Sequence, residues 1–471
     1  MDDLVAGAEA RHPGESAFRL VTEGTEAFVI RMQSARLAAR SLDVQTYIWH
    51  SDLTGIYLAQ QLLESADRGV RVRLLVDDLD ARAMNDGYAA LAAHAKIDVR
   101  MFNPWVTRSG TLRKAGEGAM NFKRINRRMH NKSWIADNRV AIVGGRNVGD
   151  EYFGAGEEMN FVDLDFAMLG PIVRDASAAF DKYWNSASAY PMETLDADGV
   201  SAEALEKLRR RFAALTKEAE ESAYAVALRG DDLVKRMIAG DWPMQWSAKY
   251  RFIVDDPAKV TMKKRDAKRT PVGSALLPIV RAAENAINIV SPYFVPGEVV
   301  TRALVEAAGA GKQVRILTNS LVANDVAAVH GGYSRFRRPL LEGGVQLWEL
   351  KPQAGSAAGS SLFGSSGASL HTKALSTDGR TVFVGSYNVD PRSTWLNCEQ
   401  GVLVEDAALA AQLDGIFATQ TSGLHAWQVT LKDGKLGWSD GEASFDSDPK
   451  ASVWHRFQAW MTRVLHLDAQ L

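Results

Sequence analysis

Histidine, lysine and asparagine recur at the same intervals in two distant segments of the chain. Residues 129–147 read MHNKSWIADNRVAIVGGRN, and residues 370–388 read LHTKALSTDGRTVFVGSYN. Aligned position by position, the segments pair His130 with His371, Lys132 with Lys373, Asp137 with Asp378, Gly144 with Gly385, and Asn147 with Asn388. One short pattern of this kind could arise by chance, but two extended copies indicate an internal duplication.

The repeated residue types suit chemistry on a tetrahedral anion. An imidazole can act as a nucleophile when one ring nitrogen is held and the other is free. Because residues two apart on a strand face the same side, His130 emerges beside Lys132, and His371 beside Lys373. The motif glycines permit a close backbone approach, so each asparagine returns towards one of these pairs. Lysine and asparagine donors around a growing negative charge favour a phosphate ligand.

Two downstream carboxylates are candidates for orienting the histidines. Asp163 lies in NFVDLDF and Glu399 in LNCEQGV, and Asp165 is an alternative to Asp163. A hydrogen-bond acceptor of this kind fixes the tautomer of a histidine ring. Asp137 and Asp378 come at turns between strands, so we expect them to shape the turn or hold an ion pair rather than contact substrate.

Further residues are candidates for lining the substrate site. Gly145 and Ser386 follow the motif glycines, and His330 and Tyr333 lie in NDVAAVHGGY. The sequence has no HExxH, no P-loop and no acidic cluster with the spacing of a divalent-ion site. We therefore expect a site without metal or cofactor, in which the lysine and asparagine donors serve the phosphoryl oxygens.

The elements that would position these residues are duplicated too. LLESADRGVRVRLLVDD at 62–78 aligns with LVEAAGAGKQVRILTNS at 304–320. Each copy has an apolar strand, at 42–49 or 286–294, followed by an amphipathic helix and a β-branched strand, which predicts a βαβ unit. The predicted fold class is α/β, with a mixed sheet covered by helices in each of two similar lobes.

The duplication also predicts the domain boundaries. We expect a first lobe over 1–190, a helical connector over 191–245, a second lobe over 246–430, and a C-terminal tail over 431–471. The connector contains SAEALEKLRRRFAALTKEAEE, whose apolar residues recur at helical spacing behind a Ser201 cap. The tail contains SVWHRFQAWMTRVLHLDAQL, which predicts an amphipathic helix that lies either at a bilayer interface or on the protein core.

Composition restricts the class of protein and its compartment. The 471 residues are 46% hydrophobic and 24% charged, which is typical of a globular protein, and the net charge of −2 gives no global attraction to nucleic acid. The single cysteine, Cys398, excludes an intrachain disulfide. Without a long apolar run or a signal-like N-terminus, we expect a cytoplasmic protein. A secreted form with a removed leader is the alternative.

Both motifs resemble the HxKxxxxD signatures of the phospholipase D superfamily. The longer strings TYIW, RVRLLVDD, RRMHNKS, VDDPAK, SGASLHTK and DPRSTWLN are similar to the bacterial cardiolipin synthase C group. This resemblance implies two α/β/α lobes whose motifs meet at a pseudo-twofold axis, and a metal-free phosphodiester exchange in two steps. It implies that His130 is the nucleophile and His371 the general acid and base, an assignment that pseudo-symmetry makes reversible in principle.

The substrate class rests on the same resemblance. It implies a phosphatidyltransferase that forms cardiolipin from phosphatidylglycerol plus phosphatidylglycerol or phosphatidylethanolamine, and a hydrolytic phospholipase D is the alternative. A nucleic-acid phosphodiesterase and a catalytically silent membrane adaptor are less favoured. We expect a phospholipid substrate, a membrane surface as partner and no nucleic acid, whereas an accessory protein and the oligomeric state stay open. The candidate basic rim of the site comprises Arg127, Arg128, Arg335 and Arg337.

Overall fold

Two large mixed β-sheets, one in each half of the chain, organise the structure. It is a computed structural model that describes residues 2–78, 85–105, 124–157, 159–219, 221–324, 327–352, 367–452, 454 and 456. Within these residues the first sheet has nine strands and the second has ten. This arrangement confirms the predicted α/β class with duplicated lobes.

The first half of the chain contributes ten strands. They are β1 Ser16–Val21, β2 Ser41–Thr46, β3 Arg71–Asp77, β4 Ile97–Phe102, β5 Ser133–Ala136, β6 Val140–Gly144, β7 Met159–Val162, β8 Asp165–Leu169, β9 Ala189–Pro191 and β10 Gln245–Ser247. The order across the first sheet is β10-β1-β8-β6-β5-β2-β3-β4-β9. Strands β2, β3 and β4 are parallel to one another, and the other neighbours in this sheet pair antiparallel.

The second half repeats this plan and extends it. Its strands are β11 Tyr250–Val254, β12 Ala286–Val290, β13 Gln313–Asn319, β14 Gln346–Leu350, β15 Gly367–Leu370, β16 Ala374–Thr377, β17 Thr381–Gly385, β18 Gln400–Glu405, β19 Ala426–Lys432, β20 Lys435–Ser439 and β21 Ser444–Phe445. The order across the second sheet is β11-β18-β17-β16-β12-β13-β14-β19-β20-β21. The motif hairpins β5–β6 and β16–β17 therefore occupy matching central places.

Fifteen helices are found among the described residues. They are α1 Asp2–Arg11, α2 Gly24–Leu37, α3 Leu53–Asp67, α4 Asn85–Ala92, α5 Asp150–Phe153, α6 Ile172–Trp184, α7 Met192–Leu195, α8 Ala202–Ala219, α9 Ala223–Gly230, α10 Asp232–Ile238, α11 Pro271–Ala282, α12 Gly297–Gly309, α13 Ala327–Glu342, α14 Pro391–Trp395 and α15 Ala407–Gln420. None of the helices described is long and apolar enough to cross a bilayer.

The predicted βαβ units are confirmed as β2-α3-β3 and β12-α12-β13. Helix α3 begins where the Asp52 carboxylate accepts a hydrogen bond from Gly55 N at 3.0 Å. Its apolar stripe includes Leu58 and Leu62, which are fully buried against the first sheet. Burial of such side chains stabilises the unit by roughly 1.5–3 kcal/mol each relative to exposure.

A short third sheet connects the two halves. Strand β15 pairs in parallel with β7, so a segment that leads into the second motif is hydrogen-bonded to the first lobe. Next to it, His371 N and Thr372 N both donate to Val162 O, at 2.8 and 3.0 Å. A bridge between Met129 and Cys398 makes the reciprocal connection. The two motifs are thus held together by backbone hydrogen bonds.

The C-terminal region differs from the expected organisation. The boundary expected at residue 430 falls inside β19, and β19–β21 continue the second sheet. The sequence contains a signal for this hairpin, because Asp433-Gly434 is a dipeptide favoured in two-residue β-turns. In the structure both residues have positive φ, of 50° and 72°, in the tight turn between β19 and β20. Among the apolar residues of the amphipathic helix predicted in the tail, only Trp454 lies within the described residues, and it is 63% exposed.

Helix α8 lies in the segment expected to connect the lobes and begins after Ser201, whose hydroxyl accepts from Ala204 N at 3.2 Å. Leu205, Leu208 and Phe212 are its buried residues, and they pack on the core of the first lobe. Strand β10 begins at Gln245, where the connector was expected to end, and pairs with β1 at the edge of the first sheet.

The motif aspartates hold the start of the central strands. Asp137 lies in the turn between β5 and β6 with a φ of 54°, and its carboxylate accepts hydrogen bonds from the amides of residues 39, 40 and 41 at 2.7–2.9 Å. Asp378, with a φ of 56°, holds the amides of residues 284, 285 and 286 in the same way. Each aspartate therefore ties a motif hairpin to the strand beside it.

We expect Asp137→Ala to lower the free energy of unfolding by about 2–4 kcal/mol, because hydrogen bonds to a charged group are lost and their amides are left without that acceptor. Urea unfolding followed by circular dichroism measures the change. Asp198→Ala, at an exposed position, is the control. A loss below about 0.5 kcal/mol for Asp137→Ala would contradict this role.

Candidate active site

The two motif histidines meet where the sheets face each other, and each is held by a carboxylate from the opposite lobe. His130 Nδ1 lies 3.0 Å from Glu399 Oε2, and His371 Nδ1 lies 2.5 Å from Asp163 Oδ2. An ionised carboxylate can only accept, so Nδ1 of each ring carries the hydrogen. Nε2 of each ring is then left with a lone pair for chemistry.

Asp165, the alternative to Asp163, has a different role. Its carboxylate accepts from Arg31 Nη2 at 3.0 Å and lies 3.3 Å from Arg146 Nη1. All three side chains are buried between α2 and the first sheet. Asp165 is therefore part of a structural ion-pair group, and the histidine partner in this lobe is Asp163.

Both orienting carboxylates are held from behind. Glu399 N donates to Asp255 Oδ2 at 3.1 Å, and the same oxygen accepts from Lys259 Nζ at 2.7 Å. Lys259 and Asp255 are completely buried, so this pair fixes the backbone beneath Glu399. In the other lobe, Arg146 Nη2 donates to Asp163 O at 2.7 Å. The sequence analysis did not single out Asp255 or Lys259, although both lie in the VDDPAK string.

The residues that follow Gly144 and Gly385 also help to position these carboxylates. A Cβ atom at Gly145 would lie 2.1 Å from Asp163 Oδ1, so a side chain there would displace the carboxylate. Ser386 takes the matching place in the second lobe, and its hydroxyl donates to Glu399 Oε2. Gly144 and Gly385 are equally crowded, because a Cβ at either would come within 2.3 Å of an atom across the sheet.

The motif lysines are buried beside the histidines. Lys132 Nζ donates to His130 O at 2.5 Å, and Lys373 Nζ donates to His371 O. Burial holds the pKa of Lys132 well below its usual range, and the nearby charge of Lys373 adds to this effect while Glu399 opposes it. Both lysine side chains can donate hydrogen bonds to an anion bound beside the histidines.

The motif asparagines are also buried. Asn147 Nδ2 donates to Tyr152 Oη at 2.8 Å, and its Oδ1 accepts from Ile48 N at 3.3 Å. Asn388 N donates to Ser393 Oγ at 3.2 Å. Each asparagine therefore sits on a strand end that a neighbouring loop fixes in place.

Burial shifts the pKa of both histidines downward. The pKa of His130 falls to about 4, since burial disfavours the cation and the charge of Lys132 adds to this, although Glu399 works in the other direction. The pKa of His371 falls to about 3 through burial and Lys373, against the opposing effect of Asp163. In the unliganded protein at neutral pH, both rings are neutral.

The pKa values of the orienting carboxylates are lowered too, but by their charged neighbours and against the effect of burial. Burial alone would raise the pKa of Asp163, but His371 and Lys373 lower it to about 2. For the same reasons, His130 and Lys132 outweigh burial and lower the pKa of Glu399. Both carboxylates therefore stay ionised and remain acceptors for their rings.

Aromatic side chains missed by the sequence analysis form walls around the histidines. Tyr47 packs edge-on against His130 with the ring centroids 5.1 Å apart, and Tyr152 packs edge-on against His371 at 5.2 Å. Phe161 lies 5.1 Å from His371. Their places in the sequence could have indicated this role, because Tyr47 directly follows β2 and Tyr152 lies shortly after Asn147.

Two residues expected on an exposed basic rim are buried instead, so this expectation was wrong. Arg128 has no exposed surface and lies 3.3 Å from Asp77 Oδ1. Arg337 is 3% exposed and pairs with Glu349 at 2.9 Å and with Asp448 at 2.6 Å. Each guanidinium is drawn inward because it compensates a carboxylate in the protein interior.

The remaining rim candidates differ from one another. Arg127 is partly buried and donates to Lys259 O at 3.4 Å and to Met262 O. Arg335 is exposed on α13. His330 and Tyr333, expected near substrate, are buried around Arg337, which lies 4.9 Å above the Tyr333 ring. Their contacts place them in the packing of α13. The basic segment before Arg124 lies outside the described residues.

Two groups of side chains in the described residues have the composition of metal sites. Ligand atoms of His50, Asp52 and Glu151 lie within 4.8 Å of one another at a partly exposed position. The second group, His330, Glu349 and Asp448, already surrounds a cation, because the Arg337 guanidinium contacts both carboxylates. Neither group includes a motif residue.

Comparisons with known proteins identify the family. Residues 29–184 and 276–420 match the family described as cardiolipin synthase, PLD-like domain. Cardiolipin synthase C of Escherichia coli K12 is 40% identical over 98% of this chain and 97% of its own length. An uncharacterized protein of Helicobacter pylori J99 is 30% identical over 96% of this chain and 89% of its own.

A solved structure supports the fold independently. The phosphatidylserine synthase of Haemophilus influenzae superimposes with a TM-score of 0.63, covering 99% of this chain and 100% of that one, at 12% identity. At that identity the likeness concerns the fold alone. From the family match and the full-length relatives, the chain belongs to the phospholipase D superfamily, in the family of cardiolipin synthase, PLD-like domains.

Proposed function

We propose that this chain is a phosphatidyltransferase that forms cardiolipin from phosphatidylglycerol plus phosphatidylglycerol or phosphatidylethanolamine. The observation that carries the proposal is the pair of motif imidazoles, each oriented through Nδ1 by a buried carboxylate of the other lobe. Such a pair supplies one nucleophile and one general acid and base. The near full-length relative at 40% identity, cardiolipin synthase C, supports a phospholipid as substrate.

In the first step, His130 Nε2 attacks the phosphorus of the donor lipid. A P–N bond forms, the P–O bond to the headgroup alcohol breaks, and His371 gives that oxygen a proton as it leaves. Lys132, Lys373 and the motif asparagines surround the site from which the phosphoryl oxygens take hydrogen bonds. These donors stabilise the charge that grows on the oxygens in the transition state.

The acid role of His371 requires its ring to be charged when substrate is bound. Burial and the Lys373 ammonium hold its pKa at about 3 in the unliganded protein. A phosphodiester anion brings a negative charge next to the ring and offsets the lysine, which raises the pKa. Substrate binding thus prepares the acid, and the ionised Asp163 stabilises the cation that forms.

In the second step, His371 takes the proton from a hydroxyl of the acceptor glycerol. That oxygen attacks the phosphorus of phosphohistidine, the P–N bond breaks, and His130 Nε2 is released with its lone pair. Cardiolipin forms when the acceptor is phosphatidylglycerol, whereas water in the same place gives phosphatidic acid. Placement of the acceptor sets the ratio of the two products. The enzyme would act as a peripheral protein at the cytoplasmic face of the inner membrane.

Vesicles that contain phosphatidylglycerol and phosphatidylethanolamine should yield cardiolipin in excess of phosphatidic acid, with a chelator present, because lysine and asparagine donors cover the phosphoryl oxygens. Mass spectrometry of the lipid extract measures both products. Lys373→Ala should lower the rate by about 100-fold or more. Dominant phosphatidic acid at saturating phosphatidylglycerol would instead assign a hydrolytic phospholipase D, and an absolute metal requirement would contradict the mechanism.

His371→Ala should accumulate phosphohistidine at His130 when the substrate has a good leaving group, because attack proceeds while the return step lacks its base. Peptide mass spectrometry of the rapidly quenched protein locates the modification. His12→Ala, at a surface position, should turn over without accumulation. Label on His371 in His130→Ala, with none on His130 in the converse variant, would reverse the two roles.

The ring of His130 should stay neutral down to about pH 5, since its pKa is about 4. Titration of ¹³C-labelled histidine by NMR measures this directly. In Glu399→Gln, the pKa should fall further, because the carboxylate that favours the cation is gone. Acid should also favour unfolding, as an unfolded histidine takes its proton near pH 6.5 while the folded ring does not. A midpoint near 6.5 in the folded protein would contradict the buried geometry.

A further inference from the structure

An apolar groove lies in the second lobe, next to the motif hairpin. It lies between α11, α12 and the second sheet and is open to solvent. Leu276, Leu277 and Val300 line its helical side, and Phe383 and Tyr387 line its sheet side. The three aliphatic residues are only partly buried. The groove therefore leaves apolar surface uncovered on a side of the lobe that adjoins the site.

The first lobe fills the same place with charged and aromatic side chains. The backbone amides of residues 39 and 284 occupy matching places, because Asp137 and Asp378 hold them in the same way. In the preceding helices, this alignment makes Gly273 equivalent to Phe28 and Leu276 equivalent to Arg31. In the sheets, Tyr387 matches Arg146. Gly401 pairs with Gly385 as Asp165 pairs with Gly144. The Phe28 ring and the Arg31–Asp165–Arg146 group thus fill the space that stays open in the second lobe.

The groove adjoins the segment that carries the second motif, since Ala374 and Tyr387 line it. Tyr387 lies between Ser386 and Asn388 in the second motif, and a Cβ at Gly273 would lie 3.1 Å from its hydroxyl. The start of α11 is also tied to the site, because Val272 N donates to Asp255 Oδ1 at 3.1 Å and the other oxygen of Asp255 holds Glu399 N. Tyr387 therefore belongs both to the wall of the groove and to the second motif segment.

Exposed lysines lie in the chain segment that leads into the groove. Lys263, Lys264 and Lys268 are exposed in the segment that leads directly into α11. Basic side chains beside an apolar surface are attracted to anionic headgroups, at roughly 1 kcal/mol each near a membrane. Phosphatidylglycerol, the proposed substrate, is such an anionic lipid.

We propose that the groove between α11, α12 and the second sheet binds one acyl chain of the phospholipid whose phosphate occupies the histidine site. The proposal rests on the proposed function for the identity of the lipid. It makes the two lobes unequal in role: the second lobe binds the diacylglycerol portion of one substrate, whereas the first lobe is closed by its buried ion-pair group. Leu276, Leu277 and Val300 then determine the preference for long acyl chains.

Photo-crosslinking tests the position of the chain. Phosphatidylglycerol with a diazirine near the end of one acyl chain is incorporated into vesicles with the full-length protein, irradiated and mapped by peptide mass spectrometry. We expect label on α11 and α12, reduced at least fivefold in Leu276→Trp and unchanged in Ser274→Trp, which adds the same bulk at an exposed position of the same helix. Label elsewhere, or equal labelling of both variants, would overturn the proposal.

Chain-length kinetics provide a second readout. Leu276→Trp and Val300→Trp should lower kcat/KM for long-chain phosphatidylglycerol at least tenfold while changing it less than twofold for the dibutyroyl lipid. Equal losses for both lipids would mean that the substitutions disturb Asp255 and the site, and would contradict an acyl-chain role. If the groove is labelled while only phosphatidic acid forms, the transferase assignment fails and the groove proposal stands. Self-association that Leu276→Trp abolishes would assign the groove to a second copy instead.

Discussion

The structure depends on one constraint, that the carboxylate which orients each histidine comes from the other lobe. Neither half of the chain contains a complete pair, since His130 needs Glu399 and His371 needs Asp163. The crossed backbone bonds at Cys398 and Val162 enforce the same exchange. Duplication therefore produced one shared site rather than two independent ones. The orientation of each histidine depends on how the two sheets are placed relative to each other.

Burial is what gives this arrangement its properties. It keeps both imidazoles uncharged in the unliganded protein, while the ionised carboxylates and the lysines stay close enough to respond to a bound phosphodiester. Interior charges are costly unless each is compensated. In the Asp255–Lys259 pair of the second lobe and the Arg31–Asp165–Arg146 group of the first, the buried charges have such partners.

The sequence predicted the duplication, the fold class and the set of motif residues, because spacing and strand periodicity are local properties. It could not predict the crossed pairing, since Asp163 lies closer in sequence to His130 than to His371, and only the packing of the lobes reverses that relation. Arg128 and Arg337 were misplaced for a similar reason. Asp77 and Asp448 are remote in sequence from the arginines that they pair with, and nothing in the sequence marks Glu349 as a partner of Arg337. The burial of an arginine cannot be predicted from the residues next to it in the sequence.

The rate of phosphohistidine formation tests the crossed pairing most directly. With a substrate that has a good leaving group, rapid-quench measurements on Glu399→Gln and Asp163→Asn separate the two steps. Cross-lobe pairing predicts that Glu399→Gln slows formation of the His130 adduct by about 100-fold or more, whereas Asp163→Asn leaves formation nearly unchanged and slows its breakdown. Slow formation in Asp163→Asn with normal formation in Glu399→Gln would contradict the account, because it would pair each histidine with the carboxylate of its own lobe.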